Sequence, residues 1–420
     1  MNFSRLLVPF KCECGRTHAC DIESVIIKSG AIAELSSLCS GYDRILVVAD
    51  GNTFAAAGEA TVAALAGKRV STLVFDGSRI LIPDEAAIER VTEELKSFGA
   101  SLIVGVGSGV IQDLCKCVSH YEGVPYMIVA TAPSMDGYAS TGAAMILGNM
   151  KETVAAGLPR AIIADVDVLK NAPMDMIKAG YGDIVGKYSA LADWRLSEIV
   201  NGEYLCEYIY RETLAATERV IASADGLLAR DAESVAELME ALVVVGIMMS
   251  FATTSRPASG SEHHLSHFFE IVGIVKGEPY FTHGIDVAYS SVITAELRER
   301  LLECDLWREA YRLTEEEYEE RIRSLYGAAA DGCIALQRRV GNYALDRTLV
   351  YKEKEAEIKD LFRSLPSSEK MRELLARVGL YMNEFYSLYG KVKIDAATLY
   401  AKDLKDRYTV LWLYYDMLGE

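Results

Sequence analysis

The chain has 420 residues, 51% of them apolar, and a formal net charge of −17. That is long enough for two domains and apolar enough for a sizeable core. With no block rich in Lys or Arg, it argues against nucleic acid or an anionic membrane as the main partner, but leaves room for a small anion held by a few local donors.

The N-terminal MNFSRLLVPFK has too short an apolar stretch for a signal peptide, so the cytoplasm is the expected location. Nine cysteines, an odd number without a secretory signal, read as reduced thiols rather than a disulfide framework. Cys12, Cys14, His18 and Cys20 fall within nine residues. That density raises a zinc knuckle, but no second CxxC-like half follows nearby, and a β-hairpin is the expectation.

Short β-rich runs then alternate with helical stretches: RILVVAD (44–50), STLVFDG (71–77), ASLIVGVGSG (100–109), VPYMIVATAP (124–133) and PRAIIADVDVL (159–169). Between them, segments such as Asp84 to Phe98 carry apolar residues at helical spacing. Val/Ile-rich strands each followed by a helix predict a parallel sheet covered on both faces, with ligands beyond the carboxyl ends of its strands. An α/β nucleotide-binding domain is expected over residues 1–170. Beyond about residue 172, long charged amphipathic segments such as Val292 to Leu325 and Tyr351 to Tyr389 predict an all-α second domain over 171–420. The longest uncharged apolar run, Ala241 to Ser255, is about 15 residues, short of the roughly 20 a membrane span needs.

Three strand ends carry polar groups. Gly105, Gly107, Ser108 and Gly109 follow an apolar strand and open a helix, where glycines admit a pyrophosphate and free amides receive it. The spacing is GxGxG rather than GxGxxG, so a plain strand-to-helix turn stays open as the alternative. Asp50 ends another strand, either as a ribose acceptor or as a helix N-cap. TAPSMDGYAS (131–140), dense in small hydroxyls, is costly to bury idle and reads as a ligand-contacting loop.

Of six histidines, His263, His264, His267 and His283 lie within 21 residues. His263 and His267, four apart, share a helix face, and His264 points elsewhere. Two imidazoles and one carboxylate make a common catalytic metal set. Asp183 is the chosen carboxylate, with helix capping as its alternative. Arg256, just before PASGSEHH, is the candidate phosphate donor, aided by Ser259 to Ser261, because Arg can grip a phosphate through two parallel bonds. A surface arginine is its alternative.

Together GVGSGVIQD, TAPSMDGYAS, YGDIVGKYSALADWRL, SRPASGSEHHLSH and THG resemble the superfamily of iron-type alcohol dehydrogenases, glycerol dehydrogenase and dehydroquinate synthase. Within it the chain resembles the glycerol-1-phosphate dehydrogenase branch found in bacteria, to which KCECGRTH is similar as well. The resemblance implies a dehydroquinate synthase-like fold, NAD or NADP, one divalent ion (Zn²⁺, Ni²⁺ or Fe²⁺) and interconversion of dihydroxyacetone phosphate and sn-glycerol 1-phosphate by a homo-oligomer. It implies dinucleotide contacts from Gly105 to Gly109 and from Thr131 to Ser134, with Ser140 assisting. It makes Asp183, His263 and His283 the metal ligands and puts Asp136 and His267 on the substrate. Asp183 stands where dehydroquinate synthases carry Glu, which favours a plain dehydrogenase over a lyase. A polyol dehydrogenase without phosphate selectivity and a non-catalytic nucleotide sensor are the other readings.

Overall fold

A computed structural model of the chain describes residues 3–79, 81–148, 150–307 and 313–419. Its strands are β1 (Phe10–Lys11), β2 (Thr17–His18), β3 (Ser24–Lys28), β4 (Arg44–Asp50), β5 (Arg69–Phe75), β6 (Leu102–Gly107), β7 (Tyr126–Ala130), β8 (Gly142–Leu147), β9 (Met150–Ala155) and β10 (Ala161–Asp165). Six of them form one parallel sheet in the order β3-β10-β7-β6-β4-β5. Every strand expected from the sequence is present. The expectation missed β3, five residues long at a sheet edge, and the antiparallel hairpin β8–β9.

The sheet is covered on both faces because its central strands are apolar at successive positions, not at alternate ones. Leu46, Val48 and Ile103 point into one cluster with Leu114 and Val118; Ile45, Val47, Ala49 and Val104 point into the other with Ala31 and Leu35. Each fully buried Val, Leu or Ile contributes about 1.5–3 kcal/mol of transfer free energy. The helices α1 (Glu85–Phe98) and α2 (Gly109–Glu122) lie on the first face, α1 opening on Asp84, whose side chain accepts from the Ala87 amide. Strands β4 and β6 are neighbours although β5 lies between them in sequence, so the winding direction reverses there. A crevice outside the carboxyl ends of two such strands is where open α/β sheets bind ligands.

From residue 174 on, regular structure is helical: α3 (Met174–Val185), α4 (Lys187–Asn201), α5 (Glu207–Ala222), α6 (Ala232–Ala252), α7 (Ser261–Lys276), α8 (His283–Leu302) and α9 (Glu315–Tyr326), followed by further helices to Leu418. The segment expected over Val292–Leu325 resolves into α8 and α9, with 308–312 outside the described residues. Two compact units emerge, one of Met1–Gly180 with Glu218–Thr254, the other of Tyr181–Thr217 with Ser255–Glu420. The excursion Glu218–Thr254 is invisible as a change of texture in the sequence, because it is as helical as its surroundings.

Helix α6 is 21 residues long and apolar enough to cross a membrane, but 78% of its most apolar window is buried in the protein. It is longer than the uncharged apolar run suggested, because Ala232 to Glu240 extends it with charged residues. It is a core helix of the first unit. Its Gly246 lets the 131–140 loop approach: a Cβ there would come within 2.8 Å of the Asp136 carbonyl oxygen and of Ala139 Cβ. Gly180 does the same from α3, where a Cβ would meet the Pro133 carbonyl oxygen at 1.8 Å.

Alanine in place of a helical glycine ordinarily stabilises by about 0.5–1 kcal/mol. At Gly180 the sign reverses: Gly180→Ala is expected to destabilise by about 2 kcal/mol or more, because the clash is with backbone. The check is the midpoint of urea unfolding, which should fall at unchanged slope.

Candidate active site

The polar strand ends do share one edge, since β4, β6 and β7 are adjacent and parallel. Their glycines have distinct jobs. A Cβ on Gly105 would sit 3.0 Å from Cys115 Sγ, and one on Gly107 would sit 2.5 Å from Ile111 Cβ, so both exist to let α2 lie close on β6. Gly109 has open space instead, its nearest neighbour being Met135 at 3.9 Å. The Gln112 amide donates to the Ser108 carbonyl at 2.9 Å, which leaves the first amides of α2 without partners in the helix. Ser108 Oγ lies 2.5 Å from Ser134 Oγ, and the Thr131 amide donates to the Gly107 carbonyl at 3.1 Å, tying the two strand ends together.

Asp50 caps the turn Gly51–Thr53: its Oδ1 accepts from the amides of Asn52 at 2.8 Å and Thr53 at 2.9 Å. The capping alternative is therefore realised with one oxygen of the carboxylate. The 131–140 loop is braced by groups the sequence did not reveal. Lys116 is fully buried, and its Nζ donates to the carbonyls of Gly137 at 3.0 Å and Gly142 at 2.8 Å and to Ser140 Oγ at 3.2 Å. Burial lowers its pKa against the opposing charges of Asp113 and Asp136. Ser140, expected beside the dinucleotide, is engaged with this lysine, and half-buried Asp136 lies within its field.

The second unit gathers the histidines. Asp183, His263 and His283 offer ligand atoms that all lie within 4.8 Å of one another. Asp183 comes from α3, His263 from the first turn of α7, and His283 from the first residue of α8. Glycines make the gathering possible: a Cβ on Gly182 would fall 2.4 Å from the Gly284 carbonyl oxygen, so α3 and α8 approach backbone to backbone beside Asp183 and His283. His267 joins them, with ring centroids 5.5 Å from His283 and 6.1 Å from His263. With Glu270 and His283 it forms a second, more exposed cluster. His264 turns away into the core, fully buried with neither ring nitrogen hydrogen-bonded, and burial holds its pKa well below the usual value.

Two residues outside the expected ligand set complete the geometry. Glu262 Oε1 lies 2.7 Å from His263 Nδ1. A carboxylate there favours the proton on Nδ1 and leaves the Nε2 lone pair facing Asp183 Oδ1, 3.6 Å away. Such a partner is the usual orienter of a metal-binding histidine, and the i+1 carboxylate in SEHH was the available signal. Lys187 Nζ donates to Asp183 Oδ1 at 2.6 Å and to the Ala258 carbonyl at 3.0 Å. Burial alone would raise the Asp183 carboxyl, but the charges of Lys187, His263 and His283 outweigh it and hold it below the ordinary range. Two imidazoles, one ionised carboxylate and a carboxylate-oriented tautomer fit a divalent ion.

Arg256 needs a correction. It is 4% exposed, and its guanidinium is used up inside the second unit. Nε donates to Glu203 Oε1 at 2.7 Å, Nη1 to the Tyr408 carbonyl at 2.7 Å, and Nη2 to Glu203 Oε2 and Ser197 Oγ. It is neither the phosphate grip nor a surface arginine but a brace. The Ser259–Ser261 stretch is likewise engaged: the Ser259 carbonyl accepts from Arg407 at 2.9 Å, and the Ser261 amide donates to Asp193 at 2.6 Å.

The family profile described as iron-containing alcohol dehydrogenase matches residues 26–173. A glycerol-1-phosphate dehydrogenase [NAD(P)+] of Bacillus licheniformis is 30% identical over 415 residues, covering 95% of this chain and 90% of the relative. That of Geobacillus thermodenitrificans is 32% identical, covering 87% of this chain and 86% of the relative. The chain belongs to the glycerol-1-phosphate dehydrogenase family. Among solved structures, a 1,3-propanediol oxidoreductase aligns with a TM-score of 0.62 at 14% identity over 93% of this chain and 94% of that one. An Oenococcus oeni alcohol dehydrogenase gives 0.59 at 15% over 92% of both. At such identities the likeness is one of fold, and it agrees with the parallel sheet and helical remainder expected from the sequence.

Glu262→Gln is expected to weaken divalent-metal affinity by about 10–100-fold, read by competition with a chromophoric chelator. Burial pushes the Glu262 carboxyl from 4.5 up to about 7. Over that window the folded, metal-free chain holds a proton that the unfolded chain has released, so Glu262 costs stability progressively as pH rises from 4.5 to 7. The melting temperature of metal-free Glu262→Gln should therefore gain on the parent chain across that window, and a constant difference would contradict the shift. Arg256→Ala should lower stability by about 3 kcal/mol in chemical unfolding, leaving Glu203 and the Tyr408 carbonyl without their donor.

Proposed function

We propose that the chain is a metal-dependent, NAD(P)-linked dehydrogenase that interconverts dihydroxyacetone phosphate and sn-glycerol 1-phosphate by hydride transfer at C2. The single observation that carries it is the Asp183–His263–His283 gathering with a carboxylate-oriented histidine, in a chain of this family. Asp183, His263 and His283 hold the divalent ion. A divalent ion so held supplies Lewis-acid polarisation of the C2 oxygen, and a nicotinamide supplies the hydride acceptor.

The protein's own groups then have defined work. Glu262 keeps the His263 lone pair directed at the ligand position, and Lys187 keeps Asp183 ionised while no ion is bound. His267, beside His263 and His283, holds a substrate hydroxyl or carries its proton to solvent. Asp136 is assigned to the substrate on family resemblance. In the sheet unit, the free amides at the start of α2, with Gly109 open in front of them, receive the pyrophosphate, and Ser108, Thr131 and Ser134 line the adjoining strand ends. Asp50 caps its turn with one oxygen and keeps the other for the ribose hydroxyls. Gly105 and Gly107 act indirectly, by setting how α2 lies on β6. Glycerol 1-phosphate is a glycerolipid building block, so this activity belongs to lipid metabolism. A cytoplasmic homo-oligomer is part of the same reading.

With Arg256 committed to Glu203, the phosphate-selective reading needs its own test against a polyol dehydrogenase. NADH and NADPH oxidation should be followed with dihydroxyacetone phosphate and with dihydroxyacetone, on the chelator-stripped chain reloaded in turn with Zn²⁺, Ni²⁺ and Fe²⁺. Turnover is expected with the phosphorylated ketone only, and only with metal. Equal turnover of both ketones would favour the polyol reading; no turnover with any metal would overturn both.

A further inference from the structure

The N-terminal segment KCECGRTHAC (11–20) plays no part in the chemistry above. The hairpin expected there is present: β1 and β2 pair antiparallel, with Phe10 opposite His18 and Lys11 opposite Thr17. Its connection is tight. The Cys12 amide donates to the Arg16 carbonyl at 2.9 Å, and the Gly15 amide donates to the Cys12 carbonyl at 3.0 Å. Gly15 takes φ +85°, a left-handed conformation that side chains rarely adopt, which lets the chain reverse within so few residues.

This turn brings Cys12 and Cys14 together with His18 on the returning strand, their ligand atoms all within 4.8 Å of one another. We propose that Cys12, Cys14 and His18 form a second metal site, for zinc or a similarly thiophilic divalent ion. Cys14 Sγ lies 3.5 Å from His18 Nε2. A tetrahedral centre with metal–sulfur bonds of about 2.3 Å and metal–nitrogen bonds of about 2.05 Å sets those two atoms about 3.5 Å apart. The imidazole is held still for such a role. It is 1% exposed, stacked on Phe251 of α6 with centroids 5.2 Å apart and planes 17° apart, and met edge-on by Phe10.

The donors differ in kind from those of the Asp183 cluster. Two thiolates and an imidazole favour a soft or borderline ion. On binding, each thiol gives up its proton to solvent and each sulfur donates a lone pair to the ion, with no change of oxidation state. The ion closes the turn of the hairpin and fastens it at the point where His18 packs on Phe251. The sequence expectation of a hairpin without metal rested on the want of a second CxxC-like half. The returning strand supplies a third ligand without one.

The difference in donors makes the test specific. The full chain, stripped with chelator and kept under a non-thiol reductant, is titrated with Co²⁺ and followed in the near ultraviolet. Thiolate-to-cobalt charge transfer is expected, saturating within two equivalents, since the Asp183 cluster takes up one ion as well. It should persist in His263→Ala/His283→Ala, whose catalytic cluster carries no sulfur in any case, and vanish in Cys12→Ser/Cys14→Ser. Absence of the band in the parent chain at saturating Co²⁺, or its survival in the serine variant, would overturn the site and leave the 3.5 Å contact as a sulfur–imidazole hydrogen bond. Should the serine variant fail to fold by circular dichroism, Cys14→Ser alone, expected to weaken the band, takes its place, and an undiminished band there overturns the site equally.

Discussion

Taking a carboxylate out of water costs several kcal/mol unless opposite charge and hydrogen bonds meet it, and in the second unit Asp183 is such a carboxylate. Lys187, itself fully buried, answers it at 2.6 Å one helical turn further along the chain. His263 and His283 face it from two other helices, and Glu262 fixes the ring of His263 from behind. Around this nucleus the packing is tight for electrostatic as well as steric reasons. Gly182 and Gly260 lack side chains where α3 must touch the start of α8 and where α7 must start against Asp193 and Ala190. The helices are drawn together at the points where charges must be within reach of each other.

The same economy governs the sheet unit. Its polar loop 131–140 is buried or half-buried, and several backbone carbonyls in it are met by side chains: Tyr138 by Gln112, Gly137 by Lys116, Ala139 by Ser250, and Ala132 by the Tyr138 hydroxyl, while Lys116 also reaches the Gly142 carbonyl just beyond it. Each of these bonds restrains the loop's backbone. A loop so restrained beside the opening of α2 holds Ser134 where its hydroxyl meets that of Ser108 at the strand ends.

Arginine 256 shows how a residue's chemistry and its use can part. Its two-pronged guanidinium suits a phosphate, and it stands next to the histidine cluster in sequence. The same fork suits a carboxylate, and Glu203, 53 residues away, occupies it. A guanidinium already bound to a carboxylate and a carbonyl would leave those partners unsatisfied if it turned to a substrate. Sequence proximity to a site therefore says little about which way a long side chain points.

What the sequence determined by itself was whatever depends on local pattern. Continuous Val/Ile runs marked β4, β6, β7 and β10, because strands buried on both faces need no alternation. Four-residue spacing put His263 and His267 on one face, and the family motifs brought Asp183 and His283 into the same set. Tertiary structure decided what depends on partners far along the chain. It paired β3 with β10, separated by more than a hundred residues, and gave Arg256 to Glu203. It buried Lys116 under the polar loop and brought Asp183 and His283 to His263 from two other helices. Periodicity is written into neighbouring residues, whereas the partner of a buried charge or a hydrogen-bonding group is set by which elements the collapsed core brings alongside.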